Sequence, residues 1–102
     1  MLTSNQRAYL RALANPIDTI LMVGKSGISA DVIKQADDAL LKRELIKGKT
    51  LETCEQTSRE TAQTIAEATK SEVVQVIGRK FVLYRRNDKE PKITLPKTKK
   101  KG

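Results

Sequence analysis

The sequence predicts an α/β protein: one compact domain in which helices pack on a four-stranded mixed sheet, in the order helix, strand, helix, strand, helix, strand, strand. Three observations predict it. Apolar residues recur at helical spacing in three segments, and an unbroken apolar run, Ile20-Leu21-Met22-Val23, lies between the first two. Near the end, two apolar runs face each other across Gly78-Arg79. At 102 residues the chain is long enough for one core and too short for two of ordinary size.

From the N-terminus, Thr3 and Gln6 make a capping-box pattern, and Leu10, Leu13 and Ala14 supply one apolar side up to Asn15-Pro16, which ends the helix. Asp18-Thr19 continue the turn. The run 20–23, with no polar alternation, suits a strand covered on both faces. Gly24-Lys25-Ser26-Gly27 follows, then a second helix capped by Ser29. In that helix Val32, Ile33, Ala36 and Leu40 form the apolar side, Lys34, Asp37 and Asp38 the other, with an end near Arg43.

Residues 45–51 alternate in part and predict a second strand that places Lys47 and Lys49 on one face, weakened by Gly48. From Thr57 or Ser58 to about Lys70, Ala62, Ile65, Ala66 and Thr69 recur at helical spacing, with Arg59, Glu60, Gln63 and Glu67 outward. Residues 73–77 and 80–86 then form a hairpin about Gly78-Arg79, a two-residue loop with glycine first, as a type II′ turn prefers. A helix between the first two strands suits a right-handed crossover and makes them parallel, whereas the hairpin is antiparallel. Strand order is left open by the sequence.

The chain carries 20 basic and 12 acidic residues, a net charge of +8. Half of that excess lies in residues 87–102, where six lysines face Asp88 and Glu90 among Pro91, Pro96 and few apolar residues. This segment reads as a disordered, lysine-rich tail beside a folded domain over 1–86. The one cysteine, Cys54, cannot form an intrachain disulfide, and with no histidine no zinc set is recognisable. A reducing, cytoplasmic setting follows, with no membrane span. The missing histidines also remove the commonest general acid–base group, so an enzyme is not expected.

The four-residue loop 24–27 is the feature best suited to binding. Glycines at both ends let a backbone approach an anion, a helix start offers free N–H groups and a positive dipole end, and Lys25 adds a full charge. In so basic a chain the natural anion is a nucleic acid backbone. Gly24-Lys25-Ser26 also matches the end of a Walker A loop. Thr19, however, stands where that motif needs its first glycine, and a nucleotide cradle is unsupported. The alternative outside nucleic acid is a protein-interaction module for an acidic partner.

Residues 23–29, Val-Gly-Lys-Ser-Gly-Ile-Ser after an apolar strand, then Leu45-Ile46-Lys47, and residues 74–85 together resemble the CRM domain, named for chloroplast RNA splicing and ribosome maturation, in its stand-alone bacterial YhbY-like form. The resemblance covers about residues 2–86. It implies a fold similar to the C-terminal domain of translation initiation factor three, and an association with precursors of the large ribosomal subunit. Two departures stand out: Gly48 inside a strand where a branched residue would pair better, and Thr69-Lys70-Ser71 without the glycine expected at the helix exit.

The expected partner is therefore RNA, in particular large-subunit ribosomal RNA or its precursor, with no cofactor, metal or small-molecule substrate. Gly24 and Gly27 would allow close approach, Lys25 would neutralise phosphate and Ser26 would donate a hydrogen bond. Arg79, Lys80 and Lys49 would extend a positive track. Arg7/Arg11, Lys47/Lys49, Arg79/Lys80 and Arg85/Arg86 are the basic pairs, and which of them converge depends on the strand order. Phe81 and Tyr84, three apart, fall on opposite faces of a strand, so no aromatic stacking platform is expected. Recognition then rests on RNA shape and phosphate geometry.

Overall fold

All three helices begin at side-chain caps, two of them, Thr3 and Ser29, as read from the sequence. In the computed structural model, which describes residues 2–24, 27–52, 57–87, 89 and 93, these are α1 (Ser4–Ala14), α2 (Ala30–Arg43) and α3 (Ser58–Thr69). Thr3 and Gln6 exchange side chain to backbone hydrogen bonds of 3.1 Å each, and Thr57 and Glu60 repeat the pattern at the same distance. Ser29 Oγ accepts from Val32 N–H at 3.3 Å. Each such cap is worth about 1 kcal/mol to its helix.

The strands are β1 (Thr19–Val23), β2 (Leu45–Thr50), β3 (Glu72–Ile77) and β4 (Lys80–Tyr84), giving the element order expected from the sequence. They form one sheet in the order β1-β2-β4-β3. Only β1 and β2 are parallel, joined by α2; the other pairs are antiparallel. At the hairpin Gly78 has φ +57°, while Arg79 is not among the positive-φ residues, as a type II′ turn requires.

Two apolar layers hold the sheet. On one face Leu21, Val23, Ile46, Phe81 and Leu83 pack with Ala36 and Leu40 of α2 and Ala62, Ile65 and Ala66 of α3. On the other, Leu45, Val74, Val82 and Tyr84 pack with Leu10 and Ala14 of α1. Phe81 and Tyr84 thus lie in different layers and both are core. Covering one face takes two helices. The other has a single eleven-residue helix, and part of that face stays open.

β1 corrects one expectation. It is an edge strand, and its pattern is not that of a strand buried on both faces: Leu21 and Val23 are buried, whereas Ile20 and Met22 are exposed. The apolar run conceals an alternation that only the side chain environments reveal. Gly48 corrects another, because the strand has no room for a branched residue there. A Cβ at this position would lie 2.5 Å from Phe81 Cζ and 2.6 Å from Cε1.

The α2-to-β2 connection is a single residue, Glu44, with φ 65° and ψ −37° and no exposed surface. Its N–H donates to the Leu40 carbonyl, and its carbonyl accepts from Arg85 N–H at 2.9 Å. Its carboxylate oxygens accept from the N–H groups of Asn87, at 2.5 Å, and Ile93, at 2.7 Å. Ile93 packs against the α1 layer, so contacts continue past Arg86. At the exit of α3, Lys70 takes the left-handed conformation, φ 59° and ψ 42°, where glycine is usual. Ser71 N–H closes that end on the Ala66 carbonyl at 2.9 Å.

Candidate nucleic-acid interface

The C-terminal ends of β1 and β2, the N-terminal end of β4 and the β3–β4 turn meet at one end of the sheet. Backbone bonds fix this meeting: Leu51 N–H donates to the Val23 carbonyl and Thr50 N–H to the Arg79 carbonyl, both at 2.8 Å. Thr50 Oγ1 also lies 2.9 Å from Ser58 Oγ, which ties the same end to the start of α3. The chain leaves this end at Gly24. The loop therefore departs from a fixed frame.

Within the loop, Gly27 has φ +71°, open space where a Cβ would stand, and an N–H that donates to the Gly24 carbonyl at 2.9 Å. Its φ makes glycine the favoured residue. Lys25 and Ser26, the two residues between, lie outside the described residues, as does Cys54. At the helix start that follows, Ser29 takes the Val32 N–H and Asp31 already stands in the first turn. That carboxylate complements the dipole itself, leaving cationic side chains as the main attraction for an anion.

The register brings together three of the cations singled out above. Lys49 lies directly opposite Lys80 across β2 and β4, and Arg79 adjoins Lys80 in the turn. Among the described residues the side chains of Lys49, Arg79 and Lys80 have no hydrogen bond or ion pair. The row continues on both sides, to Met22 of β1 and Ile77 of β3. Met22 and Ile77 are 56% and 63% exposed, high values for apolar side chains. Sequence reading missed both, since neither carries a charge and the shared row is set by pairing between distant segments.

The remaining basic pairs divide. Arg85 Nη1 lies 2.6 Å from Asp37 Oδ1 and 2.9 Å from the Thr69 carbonyl, joining β4's exit to α2 and α3. Arg7 donates from α1 to the Val73 carbonyl of β3. Lys47, in the next row of β2, reaches the Asn15 carbonyl at the end of α1 at 3.4 Å. Arg85 and Arg7 act as internal fasteners. Among the described residues no group of three or more Asp, Glu, Cys or His could hold a metal ion, and no helix is long and apolar enough to cross a membrane.

The family model of the CRS1/YhbY (CRM) domain matches residues 2–85. A Bacillus subtilis protein named "Probable RNA-binding protein YqeI" is 38% identical over 96 residues, 94% of this chain and all of that one. A Haemophilus influenzae protein named "RNA-binding protein" is 34% identical, over 94% of this chain and 96% of its own length. The solution structure of the hypothetical protein SAV1595 from Staphylococcus aureus superposes with a TM-score of 0.79 at 49% identity, covering 94% of this chain and all of that one.

Proposed function

Because the chain belongs to the CRS1/YhbY (CRM) domain family, we propose that it binds RNA through the 24–27 loop and the cationic end of its sheet, and that its RNA is ribosomal. The observation that carries this reading is the Lys49–Lys80 pair with Arg79, at the sheet end where the loop departs. Counterion release on neutralising phosphate would supply most of the affinity. Relatives named as RNA-binding proteins, matched over nearly the whole chain, support RNA over DNA.

Within the loop, Lys25 would neutralise phosphate and Ser26 donate to it, with Gly24 and Gly27 leaving the backbone accessible. The lysines of residues 87–102 would add attraction without selectivity. The family resemblance supports a role with precursors of the large ribosomal subunit in the cytoplasm, where the protein would stabilise or shield a folding intermediate of the RNA. Binding without catalysis fits a chain with no histidine.

Lys25→Glu is the direct test. Reversing one charge at a phosphate contact should weaken binding to a large-subunit RNA fragment by about tenfold or more at low salt, with a flatter salt dependence. An intact fold with unchanged affinity would remove the loop from the site. Gradient sedimentation of extracts, with and without RNase, tests the particle: RNase-sensitive migration with large-subunit precursors is expected, and protein remaining at the top at low salt would refute the ribosomal assignment.

A further inference from the structure

Two lysines directly opposite each other in an antiparallel pair repel, and a sheet ordinarily places an acidic or neutral residue at one of the two positions. Here Lys49 and Lys80 face each other on the open part of the sheet. Their row partners are Met22 and Ile77, and the next row holds Thr19, Lys47, Val82 and Gln75, so neither row contains an acidic side chain. A shallow hollow of about 140 Å³, lined by Asn15, Lys47, Gln75, Ile77 and Lys80 among others, separates the end of α1 from this row. The repulsion costs folding stability, and an anion between the lysines relieves it.

Four adjacent strands set about 4.8 Å apart put Met22 some 14 Å from Ile77, with the lysines in between. The surface is thus a flat strip, cationic in the middle and apolar at both margins. Single-stranded RNA binds by stacking bases on aromatic rings. None is offered here, since Phe81 and Tyr84 are buried and Tyr9 lies on α1. The minor groove of double-helical RNA is wide and shallow and shows riboses and phosphates to a flat partner.

We infer that the open sheet surface is a docking platform for the minor-groove side of an RNA double helix: Lys49 and Lys80 share a phosphate, and Met22 and Ile77 rest against the flanking riboses. The inference rests on the RNA-binding reading above and adds to it the class of RNA and two residues without charge. Lys47 takes a neighbouring phosphate across the hollow.

The test is fluorescence anisotropy of the full chain with an RNA duplex of about 16 base pairs, its unpaired strand and a DNA duplex of the same sequence, over a range of salt. The unaltered protein should prefer duplex RNA. The Met22→Ser, Ile77→Ser double variant changes only exposed side chains; it should weaken duplex RNA binding about three- to tenfold with the salt slope unchanged. Lys49→Gln with Lys80→Gln should reduce the slope by about one, and should raise the melting temperature of the free protein by removing the repulsion. Equal or tighter binding of the unpaired strand, or an unchanged duplex affinity in the Met22, Ile77 variant, overturns the platform. If Lys25→Glu still weakens binding in that case, the RNA-binding reading stands without it; no binding to any RNA would overturn both.

Discussion

Gly48→Ala should destabilise the protein, although strand propensity alone argues the opposite. In an open strand, replacing glycine by alanine gains about 0.5–1 kcal/mol through the unfolded chain. At position 48 the new methyl would sit 2.5 and 2.6 Å from two ring carbons of Phe81 and 3.3 Å from the Leu21 carbonyl oxygen. The ring is buried between the sheet and α2 and α3 and cannot swing into solvent. Overpacking of this kind costs about 1–3 kcal/mol, so the net loss should be about 0.5–2 kcal/mol. With an m-value of about 1 kcal/mol/M, the urea midpoint should fall by about 0.5–2 M. Phe81→Leu vacates the contested space, and in the double variant the two costs should sum to less than their separate values, with a coupling of about 1 kcal/mol. A midpoint for Gly48→Ala equal to or above the parent would refute the close-contact explanation. The position also bears on binding, since Gly48 and Phe81 are register partners immediately beside Lys49 and Lys80.

Glu44→Gln keeps the side chain's size but replaces one acceptor oxygen by a donor amide facing a backbone N–H. It should cost about 1–3 kcal/mol, with faster amide exchange at residues 87 and 93; unchanged exchange there would show that the carboxylate does not hold them. Lys70→Gly should stabilise by about 0.5–1 kcal/mol, because the left-handed conformation at the end of α3 penalises a Cβ, and a lower melting temperature would contradict that reading. Ending the chain after Ile93 keeps both N–H partners of Glu44 while removing Lys97, Lys99, Lys100 and Lys101. The melting temperature should hold and the salt dependence of RNA binding should become shallower. Complete loss of binding would place the function in the tail.

Elements whose signals are local were legible in the sequence. The Thr3 capping box, the Ser29 cap and the Gly78 turn each depend on residues within four positions, and all form as read, while the Thr57 box, equally local, went unread. Burial of β1 was not legible, because a run of Ile, Leu, Met and Val satisfies both a central and an edge strand. Only the placement of β1 outside β2 exposes Ile20 and Met22. Glu44 was invisible for a similar reason. Beside Arg43 it reads as a solvated helix end, yet the one-residue link turns it inward onto backbone donors 43 and 49 residues later. Lys70 marks a third kind of failure, where the sequence omits the usual residue and the backbone adopts the glycine conformation regardless.

Charge composition treats every basic residue alike, and the fold does not. Arg85 bridges Asp37 and the Thr69 carbonyl, and Arg7 reaches Val73, so their positive charges are committed to holding helices against strands. Lys49, Arg79 and Lys80 project from the sheet end with no partner among the described residues, and two of them repel each other across a strand pair. A fold needs fasteners at the seams between elements, where desolvated backbone carbonyls can accept; it gains nothing from a lysine pair on an open face. The surplus that matters for RNA is therefore smaller than +8. Three sheet-end cations, two of them sharing one phosphate, would account for a salt slope of about −2, with each further phosphate met elsewhere adding close to one. Arg85→Ala should then lower stability without flattening that slope, whereas Lys80→Ala should flatten it in a protein that melts no lower. If both substitutions flattened it equally, the division between fastening and binding charges would be wrong.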